Sequence, residues 1–506
     1  MTTRRSTRFT STTSPLFSLI AVTALALSAC GGGGKTTHDA GPDGAAGSTG
    51  AAGSTGAAGS DAGAAGSNAG AGGTTTDGGG DTSTACNETG SGMLVVQAAG
   101  LPAGVTMPMV RVSGGGLATP MLLQVGTPAT VPAGSGYTIE YRRVKVAPAA
   151  NAIVGKAFQV SSTDFLGCVK GTGTTTATLT YTQEPGSEHL WIGVSNAPTL
   201  GNEIAGFASA DIAATASKNP AIWKTKHFVG RPAAGAFDTF GNFWVPGGDV
   251  VNMYSMAKLA MPGDVAPDVV LTQPTGAPAT FAAFDADGNL WVSRGGASGA
   301  AAPANTVVRY SFADQQTSGS PTPAVAITSA DLANPAGLAF DKNSGDLWVA
   351  CEANDKVLRF NREHLGASYA GAADVAVTGK TAASAPVQAS YTAPYGIAFD
   401  QAGNLWVAYV SNVVGYTATQ LTAGGLVAGP IALNVSAGTG SFAFDESGGL
   451  WLSGGNPSIF RRIPKAMLAA TGDVTPDIVI TSSDLGYAES LVLDPSPTWS
   501  PLHDWL

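Results

Sequence analysis

FDQAGNLWVA, residues 399–408, sets an apolar strand end, an acid, a glycine turn and a tryptophan within ten positions, and the chain writes it repeatedly. The related stretches are FDTFGNFWVP (237–246), FDADGNLWVS (284–293), FDKNSGDLWVA (340–350) and FDESGGLWLS (444–453). In each, an apolar run ends in Phe-Asp. A tight turn carrying glycine or asparagine then supplies the positive φ that a hairpin needs, and a second strand opens on Leu/Phe-Trp. Asp238, Asp285, Asp341, Asp400 and Asp445 can accept hydrogen bonds from the turn amides, so they read as turn residues and not as catalysts.

Two further strands follow each hairpin. The third shows as VVNMYSM, TVVRYSF, KVLRFN or SIFRRI, and the fourth as PDVVLT, PAVAIT, ADVAVT, GPIALN or PDIVIT. Four strands in 45 to 58 residues is the size of one propeller blade. The Leu-Trp strand occurs six times, at Trp191, Trp244, Trp291, Trp348, Trp406 and Trp451. Trp191 has no Phe-Asp partner upstream, and SLVLD (490–494) has no third and fourth strands after it. The spacing therefore predicts an all-β fold, a six-bladed β-propeller over 186–506. Its C-terminal strand becomes the inner strand of the first blade and closes the ring without leaving sheet edges. The rival count is seven, with VLDPSPTW forming its own hairpin around Trp499; Pro495, Pro497 and the missing outer strands argue against it. Phe399 and Trp406 are expected to pack between neighbouring blades, as core and not as a ligand-stacking surface.

PYGIAFDQAGNLWVAYVSN (394–412) resembles NHL-type repeats and the broader superfamily that holds gluconolactonase-like calcium propellers and virginiamycin B lyases. The resemblance covers about 186–506 and implies architecture, not activity.

Residues 1–29 carry Arg4, Arg5 and Arg8 and then the apolar run LFSLIAVTALALSA, which reads as an export signal too short to span a membrane. Its end, Leu27-Ser28-Ala29-Cys30, resembles a bacterial lipoprotein lipobox, which implies cleavage before Cys30 and lipidation of its thiol; a plain secretory signal is the alternative. Gly31 stands where an aspartate is associated with inner-membrane retention, so the resemblance implies the outer membrane, facing the periplasm or the outside. Residues 30–85, rich in Gly, Ala and Ser, hold almost no large apolar side chain and read as a disordered stalk. Their collagen-like glycine register slips at Gly63.

Over 86–185, short runs such as MLVVQA, MVRVSG, YTIEYRRVKV and ATLTYT predict a small antiparallel β-sandwich, similar to Ig-like or transthyretin-like modules. An oxidising compartment permits a bridge between Cys86 and Cys168, two separate thiols being the other reading. Arg142, Arg143 and Lys145 read as a solvated strand face, and Cys351 as a small buried hydrophobe. Removing the three leader arginines makes the formal charge three units more negative than −10, which argues against duplex nucleic acid as a partner.

In a propeller, the loops entering the inner strands and leaving the second strands gather on one face around the channel. On that face the candidates are His227, Arg231, Arg294 and Tyr395. The gluconolactonase-like resemblance implies a hard cation, calcium, held by oxygens. Glu352, Asn354, Asp355 and Glu489 are the available donors; the other reading leaves Glu352 and Asp355 as solvated loop residues and Glu489 at a strand entry. The histidines are scattered, and Val-Ala or Val-Ser follows the tryptophans where the lyase family continues Phe-Thr-Glu. The reading is a lipid-anchored, monomeric binding or interaction module of the cell envelope, non-enzymatic, whose partner is an envelope protein, a glycan or a small ligand. The alternative is a metal-dependent lactonase-like hydrolase, and a third class, an envelope spacer, is favoured if side chains fill the channel. Replacement Cys30→Ser should abolish incorporation of a palmitate analogue in growing cells and move the protein from the membrane to the soluble fraction; unchanged labelling would exclude the anchor.

Overall fold

A computed structural model describes residues 86–147, 153–184, 187–197, 201–225, 230–296, 303–378, 393–409, 412–422, 424–427, 430–435, 440–454 and 459–500. The leader, Cys30, the stalk and His227 lie outside the described residues.

The first strands form two sheets over one core. A five-stranded sheet has the order β4 (Ala129–Pro132), β1 (Ser91–Ala99), β8 (Thr174–Gln183), β7 (Lys156–Thr163), β6 (Val144–Val146). A three-stranded sheet has the order β3 (Met121–Gln124), β2 (Met109–Gly114), β5 (Tyr137–Glu140). Alternation sets the faces: TTTATLTYTQ buries Ala177, Leu179 and Tyr181 against Val110, Val112 and Ile139. The expected all-antiparallel pairing is not what forms, because β1 and β8 run parallel. That pairing brings the segments entering both strands to one end, where Cys86 and Cys168 form a disulfide with Cα atoms 5.9 Å apart. Closing so long a loop stabilises the module by about 4 kcal/mol.

YRRVKV is not one solvated strand. β5 ends at Glu140 and β6 begins at Val144 in the other sheet. Arg143, in the crossing between them, is buried and bonds to Glu184 and Asp494.

The remaining described residues form a β-propeller. Five four-stranded antiparallel sheets lie over 236–272, 279–327, 335–378, 397–434 and 442–481, called here sheets 2 to 6. Sheet 1 consists of β9 (His189–Ala197), β10 (Gly201–Ala208), the outer strand Ile222–Thr225 and, as its inner strand, Tyr487–Asp494. The closing strand sets Val492 opposite Trp191 and Leu493 opposite Leu190, the register that Ala443 and Phe444 keep with Trp451 and Leu450 in sheet 6. Trp499 belongs to no strand; it packs edge-on against Phe444, ring centroids 6.1 Å apart.

Each tryptophan of the repeat is buried in the seam to the next sheet. The phenylalanine of the next sheet's Phe-Asp pair meets it edge-on: Trp244 with Phe284, Trp291 with Phe340, Trp406 with Phe444, at centroid distances of 6.5, 5.9 and 6.3 Å. The acid serves its own tryptophan. Asp238, Asp285, Asp400 and Asp445 accept the indole N–H of Trp244, Trp291, Trp406 and Trp451 at 2.8 to 3.1 Å, while their other oxygen takes turn amides.

Two sheets depart from this rule. In sheet 4 the turn is one residue longer, and the buried Trp348 indole N–H has no acceptor. In sheet 1 no turn joins Asp494 to Trp191, whose indole N–H also lacks a partner. Asp494 instead accepts from Arg143 Nη2 at 2.8 Å, and Arg143 Nε donates to Glu184 Oε1 at 3.0 Å. Removing one partner of such a buried cluster costs about 3–5 kcal/mol.

The outer edges are covered. A segment from between the third and fourth strands of the next sheet lies parallel to the fourth strand of sheets 2 to 6, at Gly319, Tyr369, Gly425, Gly472 and Ala216. In four of them a hydroxyl beside that segment accepts a fourth-strand amide: Ser318, Ser368, Thr471 and Thr215, at 3.0 to 3.1 Å. This removes the free row of donors that an edge strand would show.

Asp285→Ala should lower stability by about 1–3 kcal/mol, because it strands the Trp291 indole N–H and turn amides together. Asp341→Ala should cost less than half of that in the same denaturant titration. Equal losses would refute the indole bond as the discriminating interaction.

Candidate functional site

Antiparallel pairing puts the start of each inner strand beside the end of its neighbour: Pro335 faces Cys351, Ala279 faces Arg294 and Ala488 faces Val194. One face of the ring therefore collects residues from several connections. Tyr395 enters from sheet 5, its backbone fixed by Tyr395 N to Ala408 O and Gly337 N to Tyr395 O, both 2.9 Å. Its half-buried ring meets Phe281 of sheet 3 edge-on at 5.0 Å. Sheets 3 and 5 are not neighbours, so this contact spans the inner strand of sheet 4, where Gly337 bonds to Tyr395 O.

Glu489 occupies a β-bulge in the closing strand, between Ala488 and Ser490. A bulge re-aims the extra side chain. Here it accepts a hydrogen bond from Ser195 Oγ and pairs with Arg231 Nη1 at 3.4 Å. Glu352 follows the second strand of sheet 4, and its Oε2 accepts from Asn334 Nδ2 at 2.7 Å. Burial raises the Glu352 carboxyl above its ordinary range, with the Asn334 bond opposing. Burial likewise raises the Tyr395 hydroxyl, reinforced by the Glu489 and Glu352 carboxylates and opposed by Arg231. Three groups distant in sequence, Glu489, Glu352 and Arg231, thus act on one hydroxyl. The result is a polar cluster of two carboxylates, a phenol and a guanidinium, called the cup below.

The other sequence candidates go elsewhere. Asn354 Nδ2 donates to Asp331 O at 2.8 Å, and Asp355, in left-handed backbone at φ 58°, accepts from Ala393 N at 2.9 Å. Asp355 is thus engaged by a loop amide, whereas Asn354 Oδ1, the atom a cation would need, is buried without a hydrogen-bond partner. Among the described residues no group of three or more His, Cys, Asp or Glu side chains is placed to hold a metal ion. Arg294 is buried, donating from Nε to Gln273 Oε1 at 3.0 Å and from Nη2 to the Tyr310 hydroxyl at 2.7 Å; it braces sheets 2 and 3 and does not face the cup. Cys351 is buried, and burial pushes its thiol up to about 12.

Sequence reasoning missed Glu203. It lies in β10 on the face of Ala205 and Phe207, fully buried at the seam between sheets 1 and 6, and neither carboxylate oxygen has a hydrogen-bond partner. Burial pushes its pKa up to about 7. The available signal was an acid at an apolar period-two position in GNEIAGFA.

No family model matches the chain, and no curated protein matches it. Solved structures resemble it at low identity. A protein of unknown function from Bacteroides caccae is 13% identical with a TM-score of 0.42, over 60% of this chain and 98% of that one. A gluconolactonase-like protein is 16% identical with a TM-score of 0.36, over 53% and 82%. A virginiamycin B lyase from Staphylococcus aureus is 12% identical with a TM-score of 0.31, over 53% and 71%. The propeller itself rests on the strand pairing described above.

Glu203 sets a pH dependence. Its folded pKa lies above the ordinary value of 4.5, so its contribution is intact below pH 4.5 and is lost as pH rises towards 7. Glu203→Gln should therefore be more stable than the parent at pH 8, by roughly 2–3 kcal/mol at most, and the gap should close at pH 4.5. A gap independent of pH in chemical denaturation would contradict this. Glu184, also raised to about 7 by burial, keeps a residual slope of the same sign in the variant.

Proposed function

We propose that this protein is a lipid-anchored propeller of the cell envelope whose cup binds a ligand without transforming it. The observation that carries the reading is the gathering of the Glu489, Glu352 and Arg231 charges around the Tyr395 hydroxyl, whose ring packs on Phe281. These groups are held before any ligand arrives, by Asn334 for Glu352 and by Ser195 for Glu489, and preorganised polar groups beside apolar rings are what a recognition site needs. Anchoring at Cys30 on a stalk would hold the cup clear of the lipid surface.

The Phe281–Tyr395 contact also covers part of this face with packed side chains, which favours a second reading as a rigid envelope spacer. One experiment separates the two. A photo-crosslinking side chain at position 231, where the arginine is 70% exposed, should trap a discrete partner in intact cells, whereas the same group at Leu166, 93% exposed on the sandwich, should not. Glu489→Lys should reduce the yield at least tenfold, as loss of a charged hydrogen bond predicts. A spacer gives no discrete adduct at position 231.

A further inference from the structure

At the end of the ring opposite the cup, a cavity of about 570 Å³ opens between the turns of sheets 3 and 4 and the segment 498–500. That volume lies in the range of small-molecule sites. Its walls include three aromatic rings, Phe284, Phe340 and Trp499. Trp499 is held in place by a hydrogen bond from its indole N–H to Glu446 O at 3.2 Å and by its edge contact with Phe444.

The polar lining is set by a defect in the repeat. Elsewhere the turn aspartate is consumed by its tryptophan. Asp341 is seven residues from Trp348 instead of six, and its carboxylate takes the Asn343 amide at 2.8 Å but no indole. The buried Trp348 N–H is thereby left without an acceptor, which costs on the order of 1–3 kcal/mol. The chain bears this cost in a turn that lines the cavity, and rules of a fold are broken most often where function requires it. Beside Asp341 stand the exposed Asp287 carboxylate and the Arg362 guanidinium, neither of which has an ion pair among the described residues.

We propose that this cavity binds a neutral saccharide unit, a site separate from the cup. Sugar hydroxyls donate and accept at once, so they can satisfy Asp287, Asp341 and Arg362 together, while the C–H faces of the ring lie against Phe284, Phe340 and Trp499. The lining carries charges of both signs, Lys145, Arg309, Lys342 and Arg362 with Asp285, Asp287 and Asp341, so a charged ligand of either sign meets like charges and an apolar one leaves polar groups without partners, whereas a neutral ligand rich in hydroxyls does neither.

The test uses the mature chain from Cys30 on an array of neutral, acidic and amino-bearing oligosaccharides, followed by titration calorimetry with the neutral oligosaccharide retained best. The expected result is retention of neutral glycans, with affinity weakened at least tenfold by Asp341→Asn and by Arg362→Ala. Both substitutions should leave the melting temperature unchanged, since neither side chain holds an indole or an ion pair. Tyr395→Phe, which alters only the cup, should leave glycan affinity unchanged. Absence of any neutral glycan on the array overturns the proposal, as does binding insensitive to Asp341→Asn and Arg362→Ala, or binding lost with Tyr395→Phe alone. None of these outcomes bears on the crosslink at position 231, so the two sites stand or fall separately.

Discussion

A carboxylate at the end of an inner strand, buried at Asp238, Asp445 and Asp494 and half-buried at Asp285, Asp341 and Asp400, has to find donors, and much of this fold is arranged around that demand. In sheets 2, 3, 5 and 6 the donors are local: turn amides and the tryptophan six residues on. The same tryptophan then presents its ring to the next sheet, in three seams to the phenylalanine that precedes the next aspartate. One decad therefore links hairpin closure to sheet-on-sheet packing. Loss of the acid disturbs a turn and a seam together.

Where the chain is discontinuous, the demand is met from outside the propeller. Asp494 ends an inner strand that no turn follows into β9, and its donor is Arg143, from the crossing between the two sheets of the sandwich. Lys145, two residues on, donates to Pro497 O and Ser500 O, both at 2.7 Å, and ties down the segment that walls the lower cavity. The sandwich is thus more than a spacer ahead of the ring. It supplies the cation that the closing strand requires.

Much of this was legible from the periodic text. The Phe-Asp-turn-Trp spacing announced four-stranded sheets, and the orphan Trp191 and SLVLD announced their mutual pairing, because both signals are local and repeat. What escaped notice depended on contacts distant in sequence. YRRVKV alternates like an exposed strand, and nothing nearby reveals that Arg143 meets Asp494. The parallel course of β1 and β8 leaves no mark in either strand. Ser318, Ser368, Thr471 and Thr215 look like ordinary loop hydroxyls until the neighbouring edge is in view. At the cup, Glu352, Glu489, Arg231 and Tyr395 were picked out by their loop positions, but residue type alone could not show that Asp355 and Asn354 are occupied by backbone, that Arg294 points into a seam, or that a bulge re-aims Glu489.

Arg143 and Asp494 are 351 residues apart, and this separation has a consequence for how the molecule is made. During synthesis the arginine emerges long before the acid it will hold, and until then sheet 1 has three strands with Leu190 and Ile192 uncovered along its inner edge. Ring closure is a late event with a large loop-closure penalty, of the kind that folds slowly and exposes apolar surface on the way. Chains interrupted before Leu493 would keep an open seam, so a nascent or clipped molecule would present to proteases and chaperones a surface that the finished one hides.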